Sequence, residues 1–385
     1  MRAKSALNRV PGGARVPFDW TVNPYRGCLH ACVYCFARPT HEYLGFDAGR
    51  DFEREIVVKV NVPEVLRNEL ARPSWTGEHV ALGTNTDPYQ WVEKKYGLMR
   101  GIWEALRDAR NPCSVLTKSP LVLRDADLLA QIAEVTTVSA CFSVAMLDEK
   151  VWRSSEPHTP HPRARLEAVA ELNRLGIPTG ILIAPLMPGL NDSPEQVEKL
   201  LDAAYEAGAV SIGGQALFLR GATRDIFMDW LRTVRPDLVD HYETLYAKGA
   251  YLRGKVKDDI EAPLREGRAR RERERRLAAS AAPATHERFR RHDENDDARS
   301  GGGSIGGTLL AVARHGGPVP RDRLASSGQA DGLRQSGHGV ARAVSTPSPA
   351  MRETQAAKSR AIEGARAARR ILDQAAARQA QRSLF

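Results

Sequence analysis

Residues 163–216 read RARLEAVAELNRLGIPTGILIAPLMPGLNDSPEQVEKLLDAAYEAGAVSIGGQA. Two stretches with apolar residues three and four apart, 163–175 and 193–207, each hand over to a short apolar run, 179–184 (TGILIA) and 210–216 (VSIGGQA). Gly176 and Gly208 stand where a left-handed residue ends a helix, and Asp192-Ser193-Pro194-Glu195 carries the signals of a helix start. Runs of strand length that are apolar on both faces predict buried parallel strands. Toward the N-terminus the same alternation recurs. Strands are expected at 55–60 (EIVVKV), 79–83, 114–117 and 137–143, with helices at 64–72, 98–109 and 125–134. Strand then helix, repeated from about Arg54 to Phe218, predicts an α/β fold of right-handed βα units. The pattern leaves open a doubly wound sheet or a TIM-type barrel, full or partial.

Beyond the array the text of the chain changes. Residues 225–246 predict two amphipathic helices split at Arg235-Pro236, and 262–277 a charged helix rich in Arg and Glu. From residue 278 the chain turns to Ala, Gly, Ser, Pro and Arg with few aromatics, which cannot bury enough apolar surface to order itself. The expected organisation is an N-terminal extension (1–19), a core (20–224), C-terminal helices (225–277) and a disordered basic Ala/Arg/Gly-rich tail (278–385). Within that tail, 350–378 suit at most a transient helix.

The formal charge of +9 divides along the same lines. Residues 1–264 carry 32 basic and 34 acidic side chains, 265–299 carry 11 and 8, and 300–385 carry 13 and 5. A near-neutral body excludes a whole-surface field for a polyanion, and leaves only the tail for that role. No run of eighteen apolar residues occurs and the first residues lack a leader-like apolar core, so a soluble, cytoplasmic protein without membrane contact is expected.

Five cysteines argue against a secreted disulfide framework. Three of them lie in Asn23-Pro-Tyr-Arg-Gly-Cys28-Leu-His-Ala-Cys32-Val-Tyr-Cys35-Phe-Ala-Arg38, a loop expected to precede the βα array. Sulfurs spaced Cys-x3-Cys-x2-Cys can converge on one metal centre. A four-iron cluster ligated by Cys28, Cys32 and Cys35 keeps one iron for a cofactor or substrate. Gly27 and Pro24 suit the tight loop through which backbone N–H groups approach sulfur. A Cys3His zinc site using His30 or His41, in a non-enzymatic protein associated with nucleic acid through its basic tail, is the alternative. A cluster-bearing electron carrier fits less well, because carriers ligate every iron. Cys113 and Cys141 lie in or beside strand candidates, where packing is the expected role.

The Cys28, Cys32, Cys35 spacing, with aromatic Tyr34 before the last cysteine, resembles the signature of the radical S-adenosylmethionine (SAM) superfamily. Within it the chain is similar to the spore photoproduct lyase-like group, through Thr86-Asp87-Pro88-Tyr89-Gln90 with Glu93, Thr117-Lys118-Ser119, Arg124-Asp125, Glu156-Pro157 with Arg163, and Ala184-Pro185-Leu-Met-Pro188-Gly189. The resemblance implies a partial (β/α)6 barrel, a [4Fe-4S] cluster and SAM, which one electron cleaves to methionine and a 5′-deoxyadenosyl radical. It implies SAM contacts at Thr86 and Asp87 for the amino group, Lys118 and Ser143 for the carboxylate or ribose, and 186–189 with Pro188 for the adenine, beside Tyr34. No role is expected for Glu156 or Arg163 beyond pairing and capping a helix. Spore photoproduct lyases carry a hydrogen-donating cysteine just before the Ser/Thr and Asp of the second loop; here Gly83, Thr84 and Asn85 stand nearby, and Cys141 is an outside candidate if it faces the barrel lumen. The expected partners are damaged DNA and a cellular electron donor. The terminus Gln381-Arg-Ser-Leu-Phe385 resembles peptides that dock on the sliding clamp.

Overall fold

The computed structural model describes residues 1–11 and 16–281, with side chains to residue 277. Of the expected disordered tail, residues 278–281 instead end the last helix; its remainder and the clamp-like terminus lie outside the described residues. The strands are β1 (Leu7–Arg9), β2 (Trp20–Val22), β3 (Tyr25–Arg26), β4 (Val57–Val58), β5 (Val80–Leu82), β6 (Cys113–Thr117), β7 (Val138–Ser143), β8 (Thr179–Leu186) and β9 (Ile212–Ala216). The helices are α1 (Arg50–Arg54), α2 (Val62–Leu70), α3 (Glu93–Tyr96), α4 (Leu98–Asp108), α5 (Ala126–Val135), α6 (Glu149–Ser155), α7 (Pro162–Arg174), α8 (Pro194–Glu206), α9 (Ala222–Val234), α10 (Val239–Leu245) and α11 (Gly254–Ala281). No helix among the described residues is long and apolar enough to cross a membrane.

The main sheet runs β1-β2-β5-β6-β7-β8-β9, with β1 antiparallel to β2 and the six that follow parallel. Spatial order follows chain order without reversal, so the sheet has none of the switch points of a doubly wound fold. No ladder joins β9 back to β1 or β2 among the described residues, which makes this the partial (β/α)6 barrel.

Two expectations are corrected. The run 55–60 contributes only Val57–Val58, paired with Tyr25–Arg26 in a separate two-stranded ribbon. Its apolar core is too short to compete, since Glu55 is exposed, Asn61 already leads into α2, and Lys59 Nζ is anchored to the Asn23 carbonyl at 2.9 Å. The first parallel strand is instead Trp20–Val22, so the cysteine loop lies inside the βα array, not before it.

The helices and the sheet share one apolar cluster, in which Val80, Leu82, Val115, Phe142, Ile181 and Ile183 meet α2, α4, α5, α7 and α8. Along β7, Val138, Ala140 and Phe142 face that cluster. Ser139, Cys141 and Ser143 therefore face the lumen, as the two-residue period of a strand requires. Cys113 packs in the apolar cluster as expected. The helix starts follow the sequence signals: Ser193 and Gln196 form a capping box on α8, and Gly176 and Gly208 take φ values of 79° and 71° after α7 and α8. Residues 1–11 contribute more than an extension, since the Glu69 carboxylate on α2 accepts from Ser5, Ala6 and Leu7 and holds the edge strand in place.

Candidate active site at the strand ends

The cysteine loop leaves β3 through Gly27, whose φ of 78° is left-handed; a Cβ there would meet the Phe52 carbonyl at 2.9 Å. Its shape is then set by one buried side chain. Arg38, with no exposure, donates to the carbonyls of Cys32 (2.9 Å), Ala31 (3.1 Å), Ala48 (3.0 Å) and Gly49 (3.1 Å) and to Glu53 (2.5 Å). Its planar fork serves several carbonyls of the irregular loop at once, including that of Cys32, which also accepts from the Cys35 N–H at 3.2 Å. Thr223 at the start of α9 donates to the Cys35 carbonyl at 3.0 Å, so the loop is also tied to the segment after the last strand.

The second loop, after β5, acts as a buttress for the first. The buried Gln90 amide donates to the Gly27 carbonyl (3.0 Å) and accepts from the Leu29 N–H (2.9 Å), bracketing Cys28. Thr86 Oγ1 donates to the Tyr25 carbonyl (3.0 Å), and the Tyr25 phenol donates to Glu93. Glu93 also accepts from the Leu98 and Met99 N–H groups at the start of α4 and from Arg124. Asp87 accepts from Thr117 Oγ1 (2.7 Å) and from the backbone N–H groups of Lys118 (2.6 Å) and Tyr89 (2.9 Å), and faces His30 Nδ1 at 3.4 Å. Its carboxylate thereby pins the end of β6 to both loops.

A second carboxylate organises the lumen. Glu156, 1% exposed, accepts from Tyr34, from Lys118 Nζ (3.2 Å), from Arg165 (2.5 Å) and from Thr159 (3.0 Å). Burial pushes its carboxyl up, but Arg165 and Lys118 outweigh that and hold it well below the usual range. Lys118 Nζ also reaches Ser143 Oγ (2.7 Å) and Tyr34 OH (3.3 Å), so it is neither solvated nor free.

The structure thus brings Tyr34, Asp87, Lys118 and Ser143 into one connected wall beside the cysteines, with Thr86 in the buttress behind. Pro188 follows β8; Met187 and Leu190 beside it share an apolar cluster with Cys32 and Tyr34, and its carbonyl accepts from Tyr242 at 2.9 Å. Arg163 takes no part in the Glu156 network; Arg165 is the partner, and it also holds the Ser143 carbonyl at 2.9 Å. Sequence reading missed Arg165 and Arg38. The first left a signal, as a charged residue on the stripe of α7 that carries Ala168, Val169 and Leu172 into the core.

The thiols fit a cationic centre. Burial, then Asp87 and the other two cysteines, push Cys28 well above the ordinary thiol range, partly relieved by the Asp87 N–H donated to its sulfur. Burial and then Glu156 push Cys32 up to about 12, and burial raises Cys35. Three thiolates here would repel one another and two carboxylates, unless iron supplied the opposing charge. Among the described residues no group of three or more His, Cys, Asp or Glu side chains is arranged to hold a single ion. Zinc gathers its thiolates on one ion, whereas a four-iron cube takes each thiolate on a different iron. His30 meets Asp87 through Nδ1, and His41 meets the Glu55 carbonyl through Nε2, with its buried Nδ1 unpartnered among the described residues. Cys141 lies on the lumen face, two residues below Ser143, its thiol pushed up to about 12 by burial.

Comparison with known proteins agrees with this fold. The radical SAM superfamily model matches residues 22–214. An uncharacterised protein of Mycobacterium tuberculosis is 50% identical over 249 residues, 65% of this chain and 73% of its own. A variant of spore photoproduct lyase superposes with a TM-score of 0.52 at 16% identity, covering 69% of this chain and 78% of its own. A second variant, with bound AdoMet and dinucleoside spore photoproduct, gives 0.52 at 16% identity over 67% and 75%. At that identity the likeness concerns the fold.

Proposed function

Because the chain belongs to the radical SAM superfamily, we propose that Cys28, Cys32 and Cys35 hold a [4Fe-4S] cluster and that SAM binds along the wall formed by Tyr34, Asp87, Lys118 and Ser143, with Thr86 bracing it from behind and Pro188 completing the site. When bound, cluster and SAM supply one chemistry, the reductive cleavage of a carbon–sulfur bond to give a 5′-deoxyadenosyl radical. The protein's share is to bind, orient and exclude water. Arg38 and Gln90 hold the thiol loop in shape from either side, and Asp87 fixes the second loop to it. Glu156 and Arg165 hold Tyr34 and Lys118 in place. A ligand carboxylate entering here competes with Glu156 for Lys118 Nζ, which favours a ligand that brings its own positive charge near Glu156, as SAM does.

The observation that carries this reading is the placing of Cys28, Cys32 and Cys35 in one short loop, braced by Arg38 and Gln90 beside the polar wall at the strand ends. The substrate we propose is nucleic acid, supported by the excess of basic residues after residue 264 and by the dinucleoside photoproduct bound to the relative of like fold. The test is anaerobic reconstitution of the full chain. About four irons per chain and reductant-dependent release of 5′-deoxyadenosine are expected, both lost in Cys28→Ala, Cys32→Ala and Cys35→Ala. Colourless protein with one zinc, or variants that keep cluster and cleavage, would sink it. Turnover unchanged by adding ultraviolet-irradiated DNA would remove the photoproduct from the substrate reading.

A further inference from the structure

We propose that the surface beside Cys35 is the docking site for an acidic protein that delivers electrons singly to the cluster; the inference rests on the cluster reading above. Phe36, next in the chain after Cys35, is 50% exposed, and its ring lies 5.9 Å from that of Phe218. Phe218 stacks on Tyr251, with centroids 5.3 Å apart, and Tyr251 is 53% exposed. Phe218 and Tyr251 also pair as an antiparallel bridge, and the Leu219 N–H donates to the Ala250 carbonyl at 2.9 Å. The segments 217–224 and 247–255 therefore run side by side, and Thr223 binds the first of them to the Cys35 carbonyl. Together they carry five basic residues and no carboxylate. Arg220, Lys248 and Arg253 are exposed and have no ion pair among the described residues. Exposed rings set among unpaired cations mark an interaction surface.

Charge selects the occupant. A second copy would bring the same cations against themselves, and residues 300–385 of this chain, with 13 basic and 5 acidic side chains, are repelled as well. An anionic partner remains. Position then favours an electron donor over a nucleic acid. Cys35 is the most exposed of the three thiols, and electron transfer weakens steeply with distance, so a donor must touch the protein close to this cysteine. A few rings and arginines suit the small, charge-steered encounters of electron carriers. In the step itself the donor is oxidised by one electron and the cluster is reduced by one; no bond in the protein forms or breaks.

The experiment is stopped-flow reduction of the anaerobically reconstituted full chain, read as bleaching of cluster absorbance, with a reduced flavodoxin as the acidic one-electron probe and dithionite as the control. Arg220→Glu combined with Arg253→Glu, and separately Tyr251→Ser, should slow reduction by flavodoxin, the charge reversals by about tenfold or more at low salt. Rates with dithionite should be unchanged, and the difference should fade at high salt. Reduction by flavodoxin at the wild-type rate overturns the proposal. So does loss of single-stranded DNA binding in these variants with donor rates intact, which would assign the surface to nucleic acid. A wild-type protein in which dithionite bleaches no cluster refutes the cluster reading, and the docking surface falls with it.

Discussion

Toward the helices, β7 buries Val138, Ala140 and Phe142 among side chains that are apolar throughout. At the end of the same strand, Ser143 meets Lys118 and Arg165, both of them paired to the buried carboxylate of Glu156. The apolar side is held by area removed from water, a quantity that many residue combinations can supply. The strand-end side is held by donors and acceptors matched one to one, where removing a single partner leaves a buried charge or carbonyl stranded. The contrast predicts that the two regions fail differently. Damage to the first costs stability alone, and damage to the second costs stability together with the shape of the site.

The largest effect is expected at Arg38. Arg38→Met removes a donor from four carbonyls and from the Glu53 carboxylate, and should cost about 3–5 kcal/mol in denaturant unfolding and lower the iron retained on reconstitution. Arg38→Lys should rescue little, because an ammonium cannot reach carbonyls on both sides of the fork. If Arg38→Lys keeps full iron and stability, the loop is not held by this fork and the contrast breaks. On the helix side, Leu172→Ala opens a cavity in the main apolar cluster and should cost about 2–5 kcal/mol, while iron per folded chain stays at the wild-type value. A parallel loss of iron would show that the two regions are not separable.

The same contrast explains what could be read in advance. Five of the six parallel strands and the longer helices between them were legible, because apolar period is a local signal that burial rewards directly; the short α1, α3 and α6 were not. β2 was not, since three residues, Trp20–Val22, carry too little pattern, and their place in the sheet is decided by pairing with β5 and β1. The run 55–60 had the pattern but lost that place. At the site, the cysteines and the second loop stood out as motifs, yet their contacts did not. Asp87 reads as a turn former before Pro88, and in the fold its carboxylate joins β6 to two loops. Arg163 and Arg165 are two residues apart on α7, hence on different faces, and only the packed fold selects the one that meets Glu156. Pairwise matching between distant segments is the part that no local pattern encodes.

Lys59 tests the contrast at its boundary, because it is a buried cation with a single carbonyl partner rather than a matched set. It sits under the cysteine loop with Nζ on the Asn23 carbonyl, and burial, then Arg26, push it down to about 8. The unfolded chain keeps an ordinary lysine near 10.5. Between those values the unfolded state holds a proton that the native state has shed, so stability should rise with pH across about 8 to 10.5. Below 8 both states are charged and the full cost of burying the charge is present. Lys59→Met should therefore be more stable than the wild type at pH 7, by about 1–2 kcal/mol after discounting for residual contact with water. The gap should close as the pH approaches 10. Urea unfolding of both proteins at pH 7 and pH 10 measures it. A variant less stable than the wild type at pH 7, with no convergence at pH 10, would mean that the Asn23 carbonyl alone suffices to satisfy a buried ammonium. The rule drawn from Arg38 and Glu156, that ions at this end of the barrel need a full set of partners, would then be wrong.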